Sequence, residues 1–322
     1  MAITDLLNDI DNSLNITCHK VDVAEQCKEL ITHFKLKILT LNIRSLNRNV
    51  NEFLVVFNRL NMDFDVLVFT ECWICDDSVI ANIDGYMAFP STKFINQSGG
   101  VVIYVKECWN PIVSEPDLHD ANCMLIHIPN CVTVLGIYRS PSFHNTSNFL
   151  VSLENIASAM PKSPNHVITG DININILNDS GGSEYLCLLA NLGFIQAVDK
   201  PTRNSACLDH FFVKTVHHME SVVCSTSVSD HDIVLLGVEQ NGPSKPMPKN
   251  SHLSIDFKAL EKDLKNSNFS SVLNESCPQN SAIRLEKILH QCIERHNKSL
   301  NAIKVNQISF GLLSNVSLTP LK

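Results

Sequence analysis

The chain has 322 residues, of which 44% are hydrophobic and 18% are charged, and its formal net charge is -8. This length and this apolar fraction allow one large domain with an appendage, and they exclude a chain that is disordered throughout. The acidic balance excludes strong non-specific attraction to nucleic acid, because phosphate binding depends on Lys and Arg. A nucleic-acid substrate would therefore need a local basic rim and a bound cation.

The twelve cysteines do not form a disulfide framework in the sequence pattern. Most stand singly in apolar stretches, as Cys131, Cys187 and Cys224 do, where Cys behaves as a small hydrophobic residue. The close pair Cys72 and Cys75 lacks the second pair that a structural zinc site needs, which leaves a redox motif as its alternative. With no signal-peptide pattern and no membrane-length apolar stretch, we expect reduced thiols and an intracellular protein, nuclear or cytoplasmic and not secreted.

Short apolar runs of strand length begin at Lys37 and alternate with segments of helical spacing. Residues 1–36 are predicted to be an N-terminal extension with a short helix over 21–34. The predicted strands are 38–43, 65–69, 101–105, 124–128, 132–138, 166–169, 211–213 and 233–238. The predicted helices are 50–60, 149–160 and 185–192. This alternation predicts an α/β fold in which two sheets pack on each other.

The C-terminal part has a different character. Residues 240–250 contain three prolines and a glycine in a polar stretch, which predicts a linker after a domain at 37–240. A partly helical tail is predicted within 241–322, because apolar residues recur there at helical spacing. The residues of this stripe are Leu285, Leu289, Cys292, Ile293, His296, Leu300 and Ile303. Residues 306–322 carry no clear pattern.

Polar side chains stand where the predicted strands end or begin. They are Asn42, Glu71, Tyr138, Asp171, Asn173, Asp209, Asp230 and His231. Taken singly, each has an ordinary explanation, such as a turn residue, a surface carboxylate or a core tyrosine. Because strand ends in a sheet lie side by side, their order and positions together favour one cleft.

These residue types suit the hydrolysis of a phosphodiester. Glu71 and Asp230 offer the hard oxygen ligands that Mg²⁺ prefers, with the Asn42 amide oxygen nearby or bridged by water. Asp171 can accept a proton from the attacking water, and Asn173 can hold that water in line.

The remaining side chains suit contacts to the phosphate. His231 can donate a hydrogen bond to a phosphoryl oxygen, and Asp209 can orient the imidazole and favour its protonated form. The Tyr138 hydroxyl can donate to the phosphate as well.

Six segments, in this order, resemble the endonuclease/exonuclease/phosphatase superfamily over residues 37–240. They are L-N-I-R-S (41–45), T-E-C-W (70–73), G-I-Y-R-S-P (136–141), G-D-I-N-I-N (170–175), C-L-D-H-F-F-V-K (207–214) and S-D-H-D (229–232). Within the superfamily, the sequence is most similar to the apurinic/apyrimidinic-type endonuclease domain of non-LTR retrotransposons of the Jockey and CR1 type. The resemblance implies a four-layer α/β sandwich with a helical C-terminal appendage. It also implies dependence on Mg²⁺ or Mn²⁺ and nicking of one strand of DNA.

The resemblance implies a role in phosphodiester hydrolysis for each of the polar residues at the strand ends. Glu71 matches the metal-binding Glu, Asn42 the Asn of the first strand end, and Tyr138 the phosphate-contacting Tyr. The nucleophile-positioning pair matches Asp171 and Asn173, the Asp paired with the catalytic His matches Asp209, and the terminal pair matches Asp230 and His231.

Two departures from the family pattern stand out. Arg44 occupies the position where apurinic-site repair enzymes usually carry an Asp, so one metal ligand is absent and a contact from Arg44 to a DNA phosphate is expected instead. Intact elements continue into a reverse transcriptase, which uses the 3′-hydroxyl of the nick as a primer. The Tyr-x-Asp-Asp motif of that reverse transcriptase does not occur in this sequence. A truncated copy, a gene fragment and a domesticated endonuclease all remain open.

Basic residues on the loops near the predicted site are candidate DNA contacts. They are Arg44, Arg48, Arg139, Lys200 and Arg203. Two other functions compete with DNA nicking. One is a phosphatase of the same fold that acts on an inositol phosphate or sphingomyelin, and the other is a catalytically silent fragment that binds only DNA or protein.

Overall fold

The computed structural model describes residues 16–74, 79–93, 95–177, 182–239, 257–275 and 278–296. The chain divides into two compact units, Met1–Pro246 and Met247–Lys322. The predicted linker at 240–250, the segment 306–322 and Cys75 lie outside the described residues.

The first unit contains a seven-stranded mixed sheet, called the first sheet below. Its strands, in spatial order, are β1 (Ile16–Val21), β12 (Met219–Cys224), β13 (Ile233–Val238), β2 (Leu36–Asn42), β3 (Val66–Thr70), β5 (Val101–Lys106) and β4 (Tyr86–Pro90). The pairs β1–β12 and β2–β3 are parallel, and the other neighbours are antiparallel. Every residue of β2, β3 and β13 is buried, as expected for strands that are covered on both faces.

A six-stranded mixed sheet, the second sheet, packs face to face on the first. Its order is β10 (Ile195–Gln196), β11 (Asp209–Lys214), β9 (His166–Asp171), β8 (Val132–Arg139), β7 (Ala121–Ile128) and β6 (Ile112–Ser114). Only β8 and β9 are parallel neighbours in it. Contacts of β2 and β3 with β9, and of β5 with β7 and β8, close the apolar layer between the sheets.

Helices cover the outer faces of both sheets. Helices α1 (Ala24–Ile31) and α2 (Leu46–Leu60) pack on the first sheet, where Phe53 of α2 meets Phe69 of β3 edge-on at 4.8 Å between ring centroids. Helices α3 (Ser147–Ser158) and α4 (Ser183–Asn191) pack on the second sheet, where Tyr185 meets Phe212 edge-on at 5.3 Å. The layers are therefore helix, sheet, sheet and helix, which confirms the predicted four-layer α/β sandwich.

The sandwich includes residues that the sequence pattern placed in an N-terminal extension. Strand β1 adds to the edge of the first sheet, with Ile16 opposite Met219 and Val21 opposite Cys224. Helix α1 then buries Cys27 and Ile31. The predicted boundary at residue 37 therefore falls inside the sheet. Residues 16–21 form a partly exposed edge strand, and for this reason their sequence resembles a polar extension.

The second unit consists of helices in its described part. They are α5 (Phe257–Asn266), α6 (Ser270–Leu273) and α7 (Pro278–His296). Helices α5 and α6 both contact α7, whose Cys292 is fully buried and lies 3.4 Å from the Ser267 hydroxyl. The predicted helical tail is therefore present over 278–296, while Leu300 and Ile303 lie outside the described residues.

The ten cysteines among the described residues are free thiols. Most are buried, but Cys187 is exposed, because it faces away from the sheet on α4. Within the same part of the chain, no helix has the length and apolar character needed to span a membrane.

Candidate active site

Two loops of the first sheet place Asn42 and Glu71 side by side. Asn42 ends β2 opposite Thr70, which ends the parallel strand β3. The pairing continues past the strands, because the Ser45 amide donates to the Glu71 carbonyl at 2.8 Å and the Leu46 amide donates to the Cys72 carbonyl at 3.1 Å. These loops turn sharply through left-handed residues, with φ of 45° at Arg44, 82° at Ser45 and 49° at Glu71.

The segment Ser229–His231 reaches the same edge from the other side of β2. Strand β13 runs antiparallel to β2, so the residues before β13 lie beside the end of β2. The Ser229 hydroxyl donates to the Asn42 carbonyl at 2.6 Å, and the His231 amide donates to that hydroxyl at 3.2 Å. Ser229 therefore fixes the Asp-His pair against the strand that carries Asn42.

The second sheet brings three more residues to this edge. Asp171 at the end of β9 lies opposite Tyr138 in β8 and opposite Asp209, which begins β11. Gly170 before it has φ of 125°, and a Cβ there would lie 2.0 Å from the Ile137 carbonyl oxygen. Only glycine permits this close approach of β8 and β9, which holds Asp171 next to Tyr138.

Four buried side chains, Asn42, Asp171, Asp209 and His231, form the inner layer of the site. The Asn42 amide nitrogen Nδ2 donates to Asp171 Oδ2 at 2.7 Å and lies 3.5 Å from His231 Nε2. His231 Nδ1 lies 2.7 Å from Asp209 Oδ2. The layer thus joins residues of both sheets by hydrogen bonds.

The inner layer has strongly shifted protonation equilibria. Burial by itself lowers the pKa of His231, but the Asp209 carboxylate beside Nδ1 outweighs burial and raises the pKa to about 9. Burial raises the pKa of Asp171, and the negative charge of Asp209 adds to this effect. At neutral pH, His231 is therefore an imidazolium bound to Asp209, with its Nε2–H left to donate.

Four charged side chains, Arg44, Glu71, Arg203 and Asp230, form the outer layer. Arg203 Nη2 lies 2.6 Å from Asp230 Oδ2, and Arg44 Nη1 lies 3.0 Å from Asp230 Oδ1. Arg44 Nε also lies 3.9 Å from Glu71 Oε2. Partial burial opposes ionisation of Asp230, but the two arginines, Arg203 foremost, outweigh it and hold the pKa of this carboxyl below its usual range.

Tyr138 and Asn173 connect these layers. The Tyr138 hydroxyl donates to Glu71 Oε1 at 3.3 Å, and burial raises the pKa of this phenol, so it remains a donor. The Asn173 amide N–H donates to Asp171 Oδ1 at 3.1 Å, and its side-chain Nδ2 donates to the Arg139 carbonyl at 2.9 Å. The structure therefore brings the predicted catalytic and metal-ligating residues to one edge of the sandwich.

Thr202 is a site residue that the sequence reasoning missed. Its buried hydroxyl donates to Asp209 Oδ2 at 2.7 Å and accepts the amide hydrogens of Leu208 and Asp209, each at 3.1 Å. The threonine thus orients the carboxylate that holds His231. The pair Thr202-Arg203 resembles the endonuclease domains of non-LTR retrotransposons, but a threonine in a loop carries no pattern that predicts its hydrogen bond to Asp209.

Among the described residues of this site, two groups have the chemistry to hold a cation. Ligand atoms of Asp171, Asp209 and His231 all lie within 4.8 Å of one another. A His231 imidazolium bound to Asp209 is a poor metal ligand, however, because ligation needs the neutral ring. Glu71 and Asp230 fit better, because both offer hard carboxylate oxygens and both lie within ion-pair distance of the Arg44 guanidinium.

The predicted DNA contacts differ in their surroundings. Arg139 is 2% exposed, its guanidinium donates to the carbonyls of Phe143 and Asn145, and it lies 5.3 Å from the Phe149 ring centroid. The prediction that Arg139 contacts DNA is therefore corrected, because its side chain holds the loop after β8 instead. Arg48 is exposed, whereas Lys200 pairs with Asp199 at 3.2 Å.

Solved structures share this fold at low sequence identity. The 3′-5′ exonuclease NExo from Neisseria meningitidis is 17% identical, with a TM-score of 0.53, and the match covers 64% of this chain and 100% of that chain. The 3′ phosphatase NExo from Neisseria bound to a product DNA hairpin is 17% identical, with a TM-score of 0.52. The match covers 64% of this chain and 100% of that chain. An AP endonuclease from Archaeoglobus fulgidus is 16% identical, with a TM-score of 0.50, and the match again covers 64% of this chain and 100% of that chain.

No protein-family model and no curated protein matches the sequence. At identities this low, the structural likeness establishes the fold, which is the sandwich that the sequence predicts. The three structures named above are described as an exonuclease, a phosphatase and an AP endonuclease.

Proposed function

We propose that this protein is a metal-dependent phosphodiesterase that nicks one strand of DNA. The observation that carries the proposal is the buried group in which Asn42 donates to Asp171 and His231 pairs with Asp209, beside the carboxylates of Glu71 and Asp230 that share the Arg44 guanidinium. A buried base, an imidazolium donor and an exposed cation position are the parts that phosphodiester hydrolysis requires.

The residues of the inner layer suit transfer of a proton from water. Asp171 accepts that proton, and its raised pKa places the base near the working pH of an enzyme. Asn173 lies two residues on, with its Nδ2 bound to the Arg139 carbonyl, which leaves its amide oxygen to accept a hydrogen bond from the water.

Donors on either side of this base suit the phosphate. His231 offers Nε2–H to a non-bridging oxygen, while Asp209 and Thr202 hold the ring in place. Tyr138 offers its hydroxyl beside Glu71. Glu71 and Asp230, with Asn42 nearby, would hold a Mg²⁺ or Mn²⁺ ion, which would supply Lewis-acid stabilisation of the developing negative charge.

The choice of DNA, and the proposed origin in a non-LTR retrotransposon, are supported by the six sequence segments that resemble such endonuclease domains. In an intact element, a reverse transcriptase module would use the 3′-hydroxyl of the nick. One of the similar structures is bound to a product DNA hairpin, which is consistent with a nucleic-acid substrate for this fold.

Conversion of supercoiled plasmid to open circles tests the proposal. We expect nicking with Mg²⁺ or Mn²⁺ and none with a chelator, and we expect Glu71→Gln to slow nicking by about 10²- to 10³-fold. Glu52→Gln on the exposed face of α2 is the matched control and should nick like the wild type.

Three results would contradict the proposal. Turnover of soluble phosphoesters without nicking would identify a phosphatase of the same fold. Undiminished nicking by Glu71→Gln would remove the cation from the assigned site. Neither nicking nor a metal-dependent thermal shift in the wild type would identify a silent fragment.

A further inference from the structure

The guanidinium of Arg44 lies between the two carboxylates that are proposed to bind the cation. It is 3.0 Å from Asp230 Oδ1 and 3.9 Å from Glu71 Oε2. Arg203 holds the other oxygen of Asp230 at 2.6 Å, but in the part of the chain that the structure describes it forms no ion pair with Glu71. Arg44 is therefore the arginine that bridges both ligands.

The backbone keeps Arg44 at this place. Its own N–H donates to Asn42 Oδ1 at 3.2 Å, and the next amide, that of Ser45, donates to the Glu71 carbonyl at 2.8 Å. Arg44, Ser45 and Glu71 all have positive φ, so the two loops are tied together in an unusual conformation. The backbone therefore starts the Arg44 side chain next to the loop that carries Glu71.

The contact of Arg44 with Glu71 and Asp230 affects how strongly these carboxylates can bind a cation. Two carboxylates and two guanidinium groups are neutral as a set, so the charge that would attract a divalent cation is already balanced. A cation that entered with Arg44 in place would also meet a like charge at close range. The carboxylates can bind it well only after the guanidinium has moved away, and Arg44 is 47% exposed and has room to move.

We propose that Arg44 is an internal competitor for the catalytic cation, occupying the position between Glu71 and Asp230 until a divalent ion displaces its guanidinium. This inference rests on the proposed function, because it concerns the same site. It makes Arg44 a positioning residue that sets the free cation concentration at which the site fills. Position 44 thus carries an arginine that competes with the metal ion for the two carboxylates, and not a further metal ligand.

Mn²⁺ binding measured by the electron paramagnetic resonance of the free ion tests this without reference to activity. We expect Arg44→Ala to bind Mn²⁺ about tenfold more tightly than the wild type, which is about 1.4 kcal/mol. Arg44→Lys keeps the charge but loses the planar fork, so its affinity should fall between the two. Arg59→Ala, at the other end of α2 and exposed, is the matched control and should stay within about twofold of the wild type.

A second measurement guards against a variant that merely folds poorly. Without metal, Arg44→Ala should melt at a lower temperature than the wild type, because two carboxylates lose a counter-ion. The rise in melting temperature on adding Mn²⁺ should be larger in Arg44→Ala than in the wild type, because tighter binding to the folded state stabilises it more.

The outcomes separate this inference from the proposed function. Equal Mn²⁺ affinity in the wild type and Arg44→Ala, with binding lost in Glu71→Gln, overturns the role of Arg44 and leaves the proposed function intact. An equal gain in Arg44→Ala and Arg44→Lys also overturns it, because charge would then be irrelevant. Binding that is indifferent to Glu71→Gln in every variant overturns the cation site itself, and with it the proposed function.

Discussion

The inner and outer layers of the site hold their polar groups in opposite ways. Asn42, Asp171, Asp209 and His231 are buried, and hydrogen bonds between the two sheets join Asn42 to Asp171 and His231 to Asp209. Arg44, Glu71, Arg203 and Asp230 are in contact with solvent and balance one another through ion pairs. A buried polar group is costly when its partner is lost, whereas an exposed pair is worth little, so the inner layer should tolerate far less change.

The same contrast separates two buried histidines, His231 in the inner layer and His210 in the core behind it. His231 faces a carboxylate and has a raised pKa, while His210, on the same strand as Asp209, faces the Cys207 carbonyl at 3.1 Å and the Tyr185 hydroxyl at 3.4 Å. Burial lowers the pKa of His210 to about 4. Burial alone keeps an imidazole neutral, and only a paired carboxylate reverses this.

The largest expected effect comes from breaking the inner layer. His231→Ala should reduce plasmid nicking by about 10³-fold or more, because it removes both the donor and the partner of Asp209. Steady-state nicking rates and circular dichroism of the folded variant are the measurements. His119→Ala, at an exposed histidine, is the control, and unchanged nicking by His231→Ala would show that the site is assigned wrongly.

A smaller effect should appear in the acid stability of the core. The folded-state pKa of His210 is depressed, so the neutral ring is favoured by folding. Its stability contribution is fully present above pH 6.5 and is lost as the pH falls from 6.5 towards 4, by up to about 3 kcal/mol. Urea unfolding at several pH values should show this acid loss in the wild type and a reduced loss in His210→Asn.

The reference for this measurement is again His119→Ala, which should keep the acid loss of the wild type. If His210→Asn lost stability between pH 6.5 and pH 4 as steeply as the wild type does, His210 would not be the group responsible.

The smallest effect should come from the residue that supports the inner layer from behind. Thr202→Val keeps the shape but removes the hydroxyl that donates to Asp209, which should cost about 1 to 3 kcal/mol of stability and slow nicking about tenfold. Thr202→Ser should restore both, as measured by chemical unfolding and by plasmid nicking. A serine variant as impaired as the valine variant would assign the effect to packing and not to the hydrogen bond.

The sequence predicted the central strands well, and for a physical reason. Strands such as β2, β3 and β13 are covered on both faces and therefore read as continuous apolar runs. Edge strands such as β1 and β6 are partly exposed and short, so their residues look like loop. Strand β12 was missed although it is mostly buried, because Glu220 and Ser221 interrupt its apolar run.

The candidate site was predictable only as a set of polar residues at strand ends. Their convergence followed from the parallel pairs β2–β3 and β8–β9, which place Asn42 beside Thr70 and Tyr138 beside Asp171. The orientation of each side chain was not predictable. Arg139 lies beside the predicted site in sequence, but its guanidinium turns into the fold.

By itself, the sequence determined the class of fold and the positions that meet at the edge of the sandwich, because hydrophobic periodicity and strand order are local properties of the chain. Only the tertiary structure decided which polar groups are buried, which carboxylate holds His231, that Thr202 supports it and that Arg44 bridges Glu71 and Asp230. These features depend on contacts between residues far apart in the chain, where burial and neighbouring charge set protonation and pairing.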